Sequence, residues 1–269
     1  MKPLAADFLD HALTTALAAA DLAADIIRGF YAGDFTVELK ADASPVTQAD
    51  VEAERCIRRV LLQAFPEHAF FGEEEGQTGE SDFLWLVDPI DGTKAFVRGY
   101  PMFSTQIALM YCNELVLGVS VAGEYGETMW ARQGGGAYLR DASGLVRPAR
   151  MAPLPLPAQR ALSTGNLRSL AVSQHWAALA EVIQSIGRIR GYGDFLHYHL
   201  LARGCIDAVI ESDLNILDIA ALAVIVREAG GVFTDLDGAA LGLATRSVLA
   251  ASPAWHGELQ GKFHGWRHE

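Results

Sequence analysis

The sequence predicts an α/β protein in which layers of sheet and helix form a sandwich, and three features carry that expectation. Two amphipathic helical segments open the chain, closely spaced β-like runs occupy residues 104 to 139, and strand-like and helix-like segments alternate beyond residue 160. With 269 residues the chain can build one large domain or two lobes sharing an interface.

Leu4, Phe8, Leu13, Leu17, Ile26 and Ile27 mark an amphipathic opening helix within "MKPLAADFLDHALTTALAAADLAADIIRGF". A second helix is expected over "QADVEAERCIRRVLLQAF", ending before Pro66. "HAFFGEEEG" reads as a short apolar run closing on an acidic loop, and "FLWLVD", residues 83 to 88, as a buried strand. "STQIALMY", "LVLGVSVAG", "ETMWARQ" and "GAYL" follow, separated by Gly and Asn-Glu turns, as a meandering antiparallel sheet. The proline-rich "RPARMAPLPLPAQRA" is read as a seam. It divides an N-terminal α+β lobe, residues 1–150, from a C-terminal α/β lobe, residues 151–269, that closes the substrate pocket. In the second lobe "RALSTG", "RIRGYG", "CIDAVIES" and "VFTDLDG" read as strands. "SLAVSQHWAALAEVIQSIG", "DFLHYHLLARG" and "ILDIAALAVIVREAGG" read as helices, the last stopped by Gly-Gly.

A formal charge of −12 argues against nucleic acid or an anionic membrane as the main partner. It leaves room for an anionic substrate, because a bound metal reverses the local field. Cys56, Cys112 and Cys205 form no CxxC pair and are read as reduced thiols of a cytoplasmic protein. Asp7, Asp10, Asp21 and Asp25 interrupt the Ala-rich start, so it is not read as a signal sequence. No apolar run approaches the roughly 20 residues that span a bilayer.

Chemistry is concentrated in "LWLVDPIDGTKAFVRG", residues 84 to 99, where a hydrophobic strand ends in two aspartates. Pro89 removes a backbone donor and is expected to bend the chain out of the strand, turning Asp88 and Asp91 into one space with the Ile90 carbonyl between them. Two carboxylates held together call for a proton or a cation. Gly92 and Thr93 begin a helix whose N–H groups favour an anion, so hard oxygen ligands and a phosphate seat lie side by side, as Mg²⁺ requires. The plainer alternative is an Asp-capped turn with both carboxylates solvated. Glu73-Glu74-Glu75 reads equally as a solvated loop, Asp218 as the N-cap of its helix, and Asp50 as an early-helix acid or a supporting group.

Taken in order, "GEEEG", "WLVDPIDGTKAF" and "LDIAALAVIVREAGG" resemble the inositol monophosphatase family, and the likeness runs from "LKADASPVTQAD" to "GGVFTDLDG". The resemblance implies a layered αβαβα sandwich of the inositol monophosphatase / fructose-1,6-bisphosphatase type. It implies a Mg²⁺-dependent phosphomonoesterase using two or three ions per site, with Mn²⁺ as a substitute. By the same likeness, Glu73 is a metal ligand that also orients the attacking water. Asp88 bridges two metals with the Ile90 carbonyl completing the first site, and Asp91 and Asp218 hold the second. Gly92 and Thr93 form the phosphate-binding turn, Thr93 shares a water-activating network with Asp50, and Glu74 supports the shell. A homodimer acting on a small phosphorylated substrate is the implied partnership.

Within the family, "GYGDFLHYHLLARGCIDAVIES" is most similar to the histidinol-phosphatase branch. The amine and imidazole of histidinol phosphate call for acidic or acceptor groups, and Asp194 and Glu211 are the candidates. Asp194 also reads as a plain N-cap, and Glu211 as a polar strand end. Leu217 stands where the family usually has an aromatic residue. Inositol 1-phosphate and sugar or nucleotide phosphates remain alternative substrates, and a non-catalytic regulatory member is a further alternative. His197 and His199, two apart on a helix, do not share a face and are not read as a joint metal site.

Overall fold

The computed structural model describes residues 4–33, 37–39, 45–263 and 265. Residues 40–44 of the "LKADASPVTQAD" stretch lie outside them. The chain forms two compact units, Met1–Pro148 with Leu217–Ile225, and Ala149–Ile216 with Val226–Glu269.

The chain opens with α1 (Ala6–Tyr31), then β1 (Val37–Leu39) and β2 (Pro45–Thr47), an antiparallel pair, and α2 (Gln48–Ala64). The stripe that α1 buries is mostly alanine, at positions 12, 16, 19, 20 and 23, with Leu9 and Ile27 at its ends. The larger Leu4, Phe8, Leu13 and Leu17 flank it, partly buried. Small side chains on the core face let the helix approach its neighbours closely. The start of α2 is fixed by a capping box. Thr47 accepts from the Ala49 N–H, and Asp50 accepts from the Thr47 N–H and hydroxyl at 2.8 and 2.6 Å.

Next come β3 (Ala69–Gly72), β4 (Gly76–Thr78), β5 (Phe83–Asp91), the short α3 (Thr93–Val97), β6 (Ser104–Tyr111), β7 (Glu114–Ala122), β8 (Glu127–Arg132), β9 (Gly136–Asp141) and β10 (Val146–Ala149). They form an eight-stranded sheet in the order β10-β9-β8-β7-β6-β5-β3-β4. The meander is antiparallel from β5 to β9, while β3 joins β5 in parallel. The β6–β7 turn falls on Cys112 and Asn113, with φ of 48° and 65°, rather than on Asn-Glu. The proline-rich stretch is not loop from its start, since its first residues complete β10 at the sheet edge.

In the second unit β11 (Ala161–Thr164) leads to α4 (Leu167–Val172) and α5 (Trp176–Ser185). The single expected helix is divided at Ser173, whose extended backbone (ψ 154°) ends α4 while its hydroxyl donates to the Leu170 carbonyl. Then follow β12 (Arg188–Arg190), α6 (Asp194–Ala202), β13 (Ala208–Ser212), α7 (Ile216–Glu228), β14 (Val232–Thr234), β15 (Ser247–Ala251) and α8 (Pro253–Phe263). The five-stranded sheet runs β12-β11-β13-β15-β14. β15 and α8, which the sequence reading leaves unassigned, supply the strand between β13 and β14 and the core residues Trp255, Leu259 and Phe263. The middle of α7, Leu217–Ile225, belongs to the first unit although the chain reaches it through the second.

Candidate active site

In a regular strand, residues three apart face opposite sides of the sheet. Asp88 and Asp91 escape that rule through a bulge. Asp88 pairs with Gln106 and Asp91 with Ser104, so β5 advances three residues while β6 advances two. The extra residue returns Asp91 to the face of Asp88. Proline suits this position, since it has no N–H for the ladder and its carbonyl is satisfied by the Thr105 hydroxyl at 2.9 Å. The chain therefore does not leave the strand at Pro89, as the sequence suggests, but continues through it to Asp91.

Asp218 reaches the same face from α7. Gly118 of β7 makes that approach possible, because a Cβ on it would overlap the Ala221 backbone, one turn beyond Asp218. Leu117 and Val119, on the other face, pack in the core with α1 and α2. Asp218 is not the N-cap of its helix, which begins two residues earlier at Ile216. Carboxylate oxygens of Asp88, Asp91 and Asp218 lie within 4.8 Å of one another. Glu73 joins them because its N–H donates to the Val87 carbonyl at 3.2 Å, extending the parallel pairing of β3 with β5 by one residue.

Four acids around one point are electrostatically costly without a counter-ion. Asp88 is 2% exposed, and burial first, then the charges of Glu73, Asp91 and Asp218, hold its carboxyl well above the usual range. A hydrogen bond with the Glu73 side chain adds to the rise. Asp88 Oδ1 accepts from the Ile90 N–H at 3.0 Å, and Ser104 Oγ lies 3.5 Å from Asp91 Oδ2. The donors are all hard oxygens and the repulsion is of the kind a divalent cation cancels, so the residues fit such an ion.

Beside the cluster, Thr93 Oγ1 lies 3.0 Å from the Ile90 carbonyl oxygen and 3.4 Å from Asp50 Oδ1, and its one proton can be donated to either. Asp50 Oδ2 closes the capping box, while its Oδ1 faces Thr93. The carbonyl of Ile90 keeps a second lone pair for a ligand. Gly92, the residue before α3, has φ 90°, and a Cβ there would press on the Phe103 α-carbon.

One supporting residue was missed by the sequence reading. Glu54, fully buried on α2, accepts the N–H groups of Glu74 and Glu75 on Oε2 and Oε1, each at 2.8 Å. It thus fixes the turn that carries Glu73. Burial raises its pKa even against these two bonds. The only hint is its spacing four residues after Asp50, which puts both acids on one helix face. Nor is the Glu73–Glu75 turn merely solvated: Glu75 is paired with Arg55 at 2.8 Å and Arg58 at 3.0 Å, which lowers its pKa.

Asp194 and Glu211 belong to the second unit. Asp194 is not an N-cap. It is the first residue of α6 and follows Gly193, which holds the N-cap position. It is exposed and has φ 46°, a conformation costly for a residue with a Cβ. Glu211 Oε2 lies 3.0 Å from His197 Nε2 and accepts the Tyr198 hydroxyl at 2.6 Å. His197 and His199 are both buried. Leu217 is buried as well, and Cys56, Cys112 and Cys205 are free thiols. No described helix is long and apolar enough to cross a membrane.

Comparison with known proteins places this geometry. The profile of the inositol monophosphatase family matches residues 9–267. A histidinol-phosphatase of Streptomyces coelicolor is 36% identical over 260 residues, 95% of this chain and 97% of its own. An inositol-1-monophosphatase of Rhizobium meliloti is 34% identical over 80% of this chain and 81% of its own. Among solved structures, an inositol monophosphatase from Zymomonas mobilis superposes with a TM-score of 0.82 at 30% identity, covering 97% of this chain and 99% of that one.

Proposed function

The chain belongs to the inositol monophosphatase family, and we propose that within it this protein is a Mg²⁺-dependent phosphomonoesterase that hydrolyses L-histidinol phosphate to L-histidinol. The reaction class rests on one observation, the convergence of Asp88, Asp91 and Asp218 within 4.8 Å beside Glu73. The substrate is supported by the full-length likeness to a histidinol-phosphatase and by two acids, Asp194 and Glu211, suited to an amine and an imidazole. Histidine biosynthesis in the cytoplasm, by a homodimer, is the setting this reading carries.

Glu73, Asp88, Asp91 and Asp218, with the Ile90 carbonyl, would hold the metal. Bound there, Mg²⁺ would supply Lewis acidity, which would lower the pKa of a water and offset charge on the phosphate oxygens. Thr93 Oγ1, between the Ile90 carbonyl and Asp50 Oδ1, can take a proton from the attacking water while passing its own to Asp50. The Thr47 N–H and hydroxyl hold Asp50 Oδ2, so Oδ1 stays aimed at Thr93. Water oxygen bonds phosphorus as the ester P–O bond breaks, and the released alkoxide takes a proton from solvent.

Phosphate release from L-histidinol phosphate and from inositol 1-phosphate, each with Mg²⁺ and with EDTA, tests the reading. A Mg²⁺-dependent preference for histidinol phosphate upholds it. A preference for the inositol ester keeps the mechanism and discards the substrate, and EDTA-resistant turnover discards the mechanism.

A further inference from the structure

The face of the large sheet that carries Asp88 and Asp91 also buries a glutamine. Gln106 on β6 lies directly across from Asp88 on β5 and from Ser120 on β7, so the three side chains share that face. Ile107 and Leu109 of the same strand point the other way, into the core with α1 and α2. Gln106 is wholly shielded from solvent. Its Nε2 donates to the hydroxyls of Ser104 at 2.7 Å and Ser120 at 3.1 Å, while its Oε1 has no hydrogen-bond partner among the described residues.

A leucine would fill such a position without leaving an acceptor unpaired, so packing alone gives no reason for the amide. Its direction gives one. Ser104 receives an N–H on its oxygen, and its hydroxyl proton is left to be donated elsewhere. Asp91 is within reach, with Oδ2 3.5 Å from Ser104 Oγ across the bulge in β5. Were the amide turned over, both serine hydroxyls would donate to Oε1, and Ser104 would have no proton for Asp91. Ser120 therefore anchors the amide from the neighbouring strand, and donation runs from Gln106 to Ser104 to Asp91. All of these residues, with Asp88 and Asp218, belong to the first unit.

We propose that Gln106 is a positioning residue for the cation: by setting the sense of the Ser104 hydroxyl, it holds the Asp91 carboxylate in the orientation that meets Asp88 and Asp218. The proposal rests on the reading of those three acids as a divalent-metal site. A ligating carboxylate that is itself hydrogen-bonded has less freedom to lose when the ion binds. Removing such an outer partner weakens metal binding about 10- to 100-fold.

The test is a calorimetric titration of Mg²⁺ into the metal-free protein, with thermal melts in EDTA beside it, for wild type, Gln106→Met, Ser104→Ala and the double variant. Methionine nearly keeps the volume of glutamine and lacks both the N–H donors and the unpaired acceptor. Gln106→Met should raise the Mg²⁺ dissociation constant about tenfold while the metal-free midpoint stays level or rises. Ser104→Ala should raise it to a similar extent, and the double variant no further, because Gln106 acts through Ser104. A merely structural glutamine gives the reverse pattern, a lower midpoint with an unchanged dissociation constant. An unchanged constant overturns the proposal at any midpoint, and Ser104→Ala applies the same criterion if Gln106→Met does not fold. Where affinity and midpoint fall together, the double variant decides: no further loss upholds the proposal, and losses that multiply overturn it. If the wild type itself takes up no Mg²⁺, the metal reading fails first and the proposal with it.

Discussion

Glu54 offers the sharpest test of how the acidic turn is held. Its two oxygens accept the N–H groups of Glu74 and Glu75, and Gly72 lies so close that a Cβ on it would overlap the Glu54 carboxylate. Glu54→Gln keeps length and shape but presents an NH₂ group to one of the two N–H donors. It should cost about 2 kcal/mol, the worth of one hydrogen bond to a charged group. Glu54→Ala strands both donors and should cost roughly 3–4 kcal/mol on the same scale. Gly72→Ala forces the carboxylate aside and should cost about 2 kcal/mol alone, as overpacking does. In the Glu54→Ala background that obstacle is gone, so the two changes should couple by more than about 1 kcal/mol in urea denaturation of the metal-free protein. On the enzyme, a shift of about 1 Å in the turn carrying Glu73 should lower kcat/KM about a hundredfold. It should also raise the half-saturating Mg²⁺ concentration. Additive costs within about 0.5 kcal/mol, or a Glu54→Gln enzyme with wild-type Mg²⁺ requirement, would refute the reasoning.

Asp88→Asn should abolish turnover without lowering the thermal midpoint of the metal-free protein, because it removes a repelled charge and keeps an oxygen for the Ile90 N–H; a lower midpoint in EDTA contradicts this. The raised pKa of Asp88 means the folded metal-free protein binds more protons than the unfolded chain. Its contribution to stability is therefore present in acid and lost as pH rises through the folded pKa, and added Mg²⁺ should stabilise more at neutral than at acidic pH, as thermal melts would show. Gly118→Ala should push α7 away from β7 and raise the half-saturating Mg²⁺ concentration at least tenfold through Asp218; an unchanged metal requirement would show the contact to be slack. His68, half-buried and stacked on Phe65 and Phe83 at 4.8 and 4.6 Å, has a pKa lowered to about 4 by burial. Its folded pKa lies below the unfolded value, so its contribution holds above about pH 6.5 and is lost as pH falls toward 4. Solvent screening limits the loss to about 1 kcal/mol, and His68→Phe should remove it in urea titrations at pH 5 and 7.

What the sequence by itself determined is the local chemistry. The helical periodicity, the acidic blocks and their order were legible because propensity, patterning and motif identity act over a few residues. Asp88, Asp91, Asp218, Glu73, Thr93 and Asp50 could all be named from such short stretches. The tertiary structure decided how they meet. Strand periodicity alone turns Asp88 and Asp91 to opposite faces, and only the pairing of β5 with β6 reveals the added residue that brings them back. Asp218 and Gly118 are a hundred residues apart, and nothing local marks Gly118 as the place where a helix meets a strand. Glu54 reads as one more surface acid of an amphipathic helix until the turn it supports folds over it. The same holds for Ser163, His197, Tyr198 and Glu211, whose hydrogen bonds join three separate segments. A bulge, a close approach and a buried polar network are properties of pairs distant in sequence, and their energies exist only once the chain has closed.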